Sequence, residues 1–157
     1  MSEIDVDLVN RRLAEIKQLL GELREIVELG LGRFLSDSYV RDAAKYKLIV
    51  AIEAAISVCN HIVVRAVKEI PSSYSDCFII LGKRRIISQD LAEKLANMAR
   101  FRNMLVHIYW KIDDKKVYEI MEKNILDLEG FIREVKEYVS KQGRNKEKDK
   151  ENSGRKR

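Results

Sequence analysis

Apolar residues recur along the chain at helical intervals. Leu13, Ile16, Leu20, Leu23 and Val27 advance by 3, 4, 3 and 4 residues, which puts them on one face of an amphipathic helix that Gly30 and Gly32 end. Leu48, Ile52, Ala55, Cys59, Ile62 and Ala66 predict a second long helix. Pro71 closes that segment because it cannot donate to a helical ladder. Ser73 is placed to cap a short helix through Leu81, released by Gly82 before a basic Lys83-Arg84-Arg85 turn. A fourth helix re-enters near Ser88 or Asp90, with Glu93 three residues after Asp90 positioned to satisfy a free first-turn amide. Asp113-Asp114 marks a last start, and Val117, Met121, Ile125, Leu128, Ile132, Val135 and Val139 form its apolar face. No segment alternates apolar and polar residues long enough to argue a strand. The pattern predicts an all-α fold, an antiparallel bundle of four to five helices.

Composition narrows this to one domain, since 157 residues with 46% hydrophobic content can bury one real core. Charge divides the chain unevenly. Residues 141–157 hold eight Lys or Arg against three Asp or Glu, whereas residues 1–140 hold 22 of each sign and are neutral. We therefore expect a folded domain over residues 1–140 and a charged tail over 141–157, disordered or a frayed helical extension, because nothing apolar in it can be buried. The tail reads as a solubilising extension, with an RNA-binding arm as the alternative. The formal charge of +5 thus belongs to the tail, and attraction to a polyanion has to come from there or from a local cluster such as Lys83-Arg84-Arg85. No run of about 18 uncharged apolar residues is present, and the acidic start lacks the pattern of a secretory signal. Together these predict a cytoplasmic protein that does not engage a membrane. Cys59 and Cys77 lie in apolar surroundings without ligand spacing, so buried reduced thiols and no structural metal are expected.

The chemistry concentrates in Ala99-Arg100-Phe101-Arg102-Asn103-Met104-Leu105-Val106-His107-Ile108-Tyr109-Trp110. An arginine, a histidine and a tyrosine in one apolar helical segment form either a satisfied structural network or a site where a fixed cation and a titrating imidazole act on a phosphate. In an ideal helix Arg102 and Tyr109 nearly eclipse, about 20° apart, while Arg102 and His107 point about 140° apart. The latter two meet only through the reach of the arginine, through local distortion, or across a partner subunit. No Gly-rich phosphate loop and no defensible Ser/His/Asp arrangement exists, which leaves glycosidase, protease and P-loop chemistry without support.

Arg102, four residues, His107, one residue and Tyr109 resemble the Arg-x4-His-x-Tyr signature of the HEPN superfamily and of its HepT branch, the ribonuclease toxins of two-gene toxin–antitoxin modules. Asp113-Asp114 downstream, Asn60-His61-Ile62, Pro71-Ser72-Ser73-Tyr74 and Phe78-Ile79-Ile80-Leu81 extend the likeness over roughly residues 45–135. The resemblance implies a homodimer whose composite cleft cuts RNA without metal or cofactor. Arg102 and His107 would be catalytic, with Asn103 supporting them by orienting the histidine or donating to a phosphate oxygen. It further implies silencing by a MntA-type nucleotidyltransferase antitoxin that adds AMP to Tyr109. The alternative expectations are an inactive HEPN module that holds a nucleotide or docks a nucleotidyltransferase, and a structural helical adaptor.

Neighbouring residues receive plainer readings. Trp110 is expected in the core, and His61 on a helix face with a backbone carbonyl as its partner. Arg100 stands where the family more often has glycine, and adds a phosphate contact or extends to solvent. Glu53 and Arg41 pair with site cations or lie on a solvated face.

Overall fold

The computed structural model describes residues 3–156, and within them six α-helices and no strand. α1 spans Val6–Glu28, α2 Leu31–Ser36, α3 Ser38–Ile62, α4 Tyr74–Lys83, α5 Gln89–His107 and α6 Asp114–Arg155. α1, α3 and α6 are the helices that the apolar spacing predicts, α4 and α5 those that the capping residues predict, and α2 is the addition. Its six residues are too few for a periodic signal, yet they bury Phe34 completely against the ring of Tyr118, with centroids 5.5 Å apart. Tyr118 then donates from its hydroxyl to the Val27 carbonyl, tying the end of α1 to α6.

Local chemistry explains most of the boundaries. Asp5, Asp37, Ser73, Ser88 and Asp113 each accept a first-turn amide hydrogen bond, satisfying donors that a helix start leaves free. Asp90 is not the cap of α5, and Glu93 plays no part there. The Ser88 amide donates instead to Glu134 of α6 at 2.9 Å, a tertiary contact doing what the local pattern assigned to Glu93. Gly30, at φ 89°, turns the chain out of α1.

Gly82 does not release α4, which continues to Lys83; Arg85 is the left-handed residue of that turn, at φ 58°. What Gly82 provides is proximity, because a Cβ there would stand 2.6 Å from the Cβ of Ala92 on α5. α3 likewise ends ahead of Pro71, passing through a π turn at Val63–Val67 to left-handed Lys68.

α3 and its π turn are long and apolar enough to cross a membrane by length and composition. Their apolar side chains are used in packing: Leu48, Ala51, Ile52, Ala55, Cys59 and Ile62 are all buried. Phe78 of α4 meets Phe131 of α6 edge-on at 5.8 Å. Cys59 and Cys77 are buried free thiols, and burial followed by the neighbouring Cys77 thiol pushes the Cys59 thiol strongly upward. α6 is about 63 Å long at 1.5 Å per residue. Beyond Ser140 it touches little, and residues 141–156 are exposed apart from Gln142. The described residues of the tail continue α6 to Arg155.

Candidate functional site

Arg102 sits on the inward side of α5 with 16% of its side chain exposed. Its guanidinium spans two partners, Nη2 donating to Glu53 of α3 at 2.5 Å and Nη1 to Asn103 Oδ1 at 3.0 Å. Its Cζ lies 5.6 Å from the centre of the Tyr74 ring at the start of α4, close enough for a cation–π contribution. Nε is buried without a hydrogen-bond partner among the described residues. Beside this group, Asn103, Asn60 and the Pro71–Tyr74 segment line an open cleft of about 380 Å³. The fork is thus held by one carboxylate and one amide, next to a cleft whose polar groups include Asn60, Ser72, Ser73 and Asn103.

His107 is the last residue of α5 and is exposed. The helix stops because Ile108 leaves helical geometry at φ −130°, ψ 37°, and Tyr109–Lys111 form a single 3₁₀ turn. A run of β-branched and aromatic residues of modest helix propensity, Val106 and Ile108-Tyr109-Trp110, meets a new start at Asp113. His107 and Arg102 remain on the same helix and diverge, and no hydrogen bond joins them. Met104, Val106, Ile108 and Trp110 around His107 are 49%, 43%, 36% and 76% exposed. Trp110 is therefore not in the core as expected; the chain turns at Ile108 and leaves the indole outside.

Ending α5 at His107 also corrects the ideal-helix picture of Tyr109. The tyrosine folds back onto the start of α3, where its hydroxyl donates to Asp42 and Lys45 Nζ lies 4.4 Å from its ring centre. Lys45 is 6% exposed and pairs with Asp114 at 2.8 Å; Arg41 reaches the same carboxylate at 3.4 Å. Burial first, then the hydrogen bond to Asp42 and the charges of Asp42 and Asp114, push the Tyr109 phenol up to about 12, with Arg41 opposing them. Asp42 and Glu53 are eleven residues apart on α3, which puts them about 20° from each other and about 16 Å apart along the axis. Arg102 and Tyr109 therefore address one face of α3 at two separate points.

Glu53 pairs with a site cation, Arg102, whereas Arg41 pairs with the carboxylate of Asp114. Arg100 donates to Asn97 at 2.7 Å and extends outward. His61 is an acceptor rather than a donor: its Nε2 takes the Asp5 amide hydrogen at 2.8 Å, joining α3 to the start of α1. Burial, and next the charge of Arg65, lower its pKa against an opposing pull from Asp5. Asp42, Lys45 and Tyr74 are the site residues that sequence reasoning missed. The first two could have been found by carrying the α3 helical pattern back from Leu48, since Asp42, Lys45, Ile49 and Glu53 step by 3, 4 and 4.

The chain has close relatives of known kind. It is 28% identical over 130 residues to the mRNA nuclease HepT of Shewanella oneidensis, covering 83% of this chain and 97% of that protein. It is 26% identical over 139 residues to the tRNA nuclease HepT of Aphanizomenon flos-aquae, covering 88% and 95%. Among solved structures, the tri-AMPylated Shewanella oneidensis HEPN toxin in complex with MNT antitoxin superposes with a TM-score of 0.77 at 28% identity, over 83% of this chain and 97% of that one. The family model described as Ribonuclease HepT-like matches residues 16–135. Spanning most of the bundle and the whole Arg102–Tyr109 segment, that match makes the chain a member of the HepT-like ribonuclease family.

Proposed function

We propose that this chain is a metal-independent endoribonuclease toxin, active as a homodimer and silenced by a MntA-type nucleotidyltransferase through AMP addition to Tyr109. The observation that carries the reading is the divergence within α5: Arg102 turns inward to Glu53 and Asn103, beside an open cleft that Asn103 lines, while His107 stands exposed at the helix end. One subunit holds the parts of a phosphodiester-cleaving site without bringing them together. A second copy approaching the exposed Met104, Val106, Ile108 and Trp110 would cover apolar surface and pool the two signature helices in one cleft.

In that cleft the imidazole of His107 takes the proton from an RNA 2′-hydroxyl, and His107 of the partner subunit protonates the leaving 5′ oxygen. Arg102 holds the phosphate and stabilises its developing charge, while Asn103 steadies the guanidinium through Nη1. Glu53 keeps the fork oriented, and an incoming phosphate oxygen competes with its carboxylate for the Nη2 edge. The products carry a 2′,3′-cyclic phosphate. AMP on Tyr109 adds a negative charge and bulk beside the signature helix, which repels and blocks the RNA backbone. Residues 1–140 carry this activity, 141–157 are a solubilising extension, and the reduced thiols fit a cytoplasmic protein.

The test is cleavage of total cellular RNA in the presence of a chelator by the parent and by His107→Ala purified identically. Cyclic-phosphate ends produced by the parent and lost in the variant are expected. Equal cutting by the variant, or no cutting by the parent, would overturn the proposal.

A further inference from the structure

We propose that Asp42 is the general base for AMP transfer to Tyr109, so that this chain supplies part of the catalytic machinery for its own silencing. The inference rests on the modification read for Tyr109 under the proposed function and names a residue that reading leaves out.

The geometry is direct. The Tyr109 hydroxyl donates to Asp42 Oδ1, so the carboxylate already touches the one proton that has to leave when the phenol attacks. Asp42 is exposed and Tyr109 half-buried, which leaves the bonded oxygens at the surface, where a bound nucleoside triphosphate can present its α-phosphate. The other charged groups at the tyrosine are Lys45 over the ring, Arg41, and Asp114 from the first turn of α6, which both cations share. Neither cation has an oxygen or nitrogen free to accept a proton, and Asp114 is engaged by both. Asp42 is the acceptor within reach.

The need for a base follows from the phenol itself. A tyrosine phenol is already protonated at pH 7, and burial, followed by Asp42 and Asp114, pushes this one further up, to about 12. A nucleophile so rarely ionised is activated by proton removal during attack, as a carboxylate does for hydroxyl substrates in phosphoryl transfer. In the step, the Tyr109 O–H bond breaks and its proton passes to the Asp42 carboxylate. The phenolic oxygen forms a bond to the α-phosphorus of ATP, and the bond from that phosphorus to the bridging oxygen breaks. Pyrophosphate leaves with the electron pair, and Asp42 returns its proton to water. The new phosphodiester carries one negative charge.

The experiment compares the full-length parent, Asp42→Asn and Asp42→Glu, each incubated with an MntA-type nucleotidyltransferase, magnesium and α-labelled ATP, with the modified residue located by mass spectrometry. The parent should take label on Tyr109 at a rate nearly independent of pH between 6.5 and 9. Asp42→Asn, with a melting temperature near the parent's, should be labelled at least a hundredfold more slowly at pH 7. Its rate should climb about tenfold per pH unit, because only pre-formed phenolate then reacts. Asp42→Glu keeps a carboxylate and should recover at least a tenth of the parental rate, which also serves if the asparagine variant folds poorly. A parent labelled on Tyr109 together with equally fast, pH-independent labelling of Asp42→Asn would overturn the role of Asp42 and leave the proposed function standing. A parent that takes no label on Tyr109 would overturn the AMP-transfer reading and this inference with it.

Discussion

Gly82→Ala should destabilise this protein although alanine is the better helix former, and the structure supplies the size of the effect. Gly82 is the penultimate residue of α4, and a Cβ added there meets the Ala92 Cβ at 2.6 Å and the Gln89 Cα at 3.6 Å. The first contact is about 1 Å inside the separation at which carbon atoms attract. Neither partner can rotate away, since the Cβ of Ala92 is fixed to the α5 backbone, so relief requires the two helices to part. Overpacking of this kind costs typically 1–3 kcal/mol, against at most about 1 kcal/mol recovered from helix propensity. A net loss of about 1–2 kcal/mol lowers the melting temperature of a domain this size by roughly 3–6 °C. Gly21, in the middle of α1, has nothing within 4 Å of the same added carbon. Gly21→Ala should therefore raise the melting temperature by about 2–4 °C, a control that isolates propensity from packing. Differential scanning calorimetry on both variants decides the matter. If Gly82→Ala melts above the parent as Gly21→Ala does, the close approach of α4 and α5 does not constrain this fold.

Other substitutions probe the site and its supports. Arg102→Lys should reduce RNA cleavage by roughly 10²–10³ while costing about 1 kcal/mol of stability or less, because one ammonium cannot span Glu53 and Asn103 as the planar fork does. Single-turnover assays that retain a third of the parental rate would sink the role given to the fork. His61 makes stability depend on pH in one direction. Its folded pKa is depressed from 6.5, so its neutral form's contribution is present above that value and lost as pH falls through the lowered folded pKa. Thermal melts between pH 7.5 and 5 should show a fall that is smaller in His61→Gln, whose amide oxygen can still accept the Asp5 amide hydrogen. Identical pH profiles for the two proteins would remove His61 as the source.

The helices were legible in the chain because burial along one stripe imposes a spacing of three and four whatever the partner. That rule places Leu13 through Leu23 of α1 and Val117 through Val135 of α6 in the core without reference to anything they touch. Capping is equally local, and Ser73 and Asp113 act where the residue order puts them. Arg102, His107 and Tyr109 stood out for the same reason, being polar groups inside an apolar helical run. What they contact could not be read from spacing. Whether Arg102 meets Glu53, whether Tyr109 meets Asp42 and whether Trp110 enters the core all depend on where α5 stops and how it lies on α3. α2, Gly82 and Glu134 make the same point: six residues without a period bury Phe34, a missing side chain brings two helices together, and a carboxylate from α6 caps α5. Periodicity depends only on order along the chain. Contacts between residues tens of positions apart depend on how whole helices pack, and the tertiary structure alone decides them.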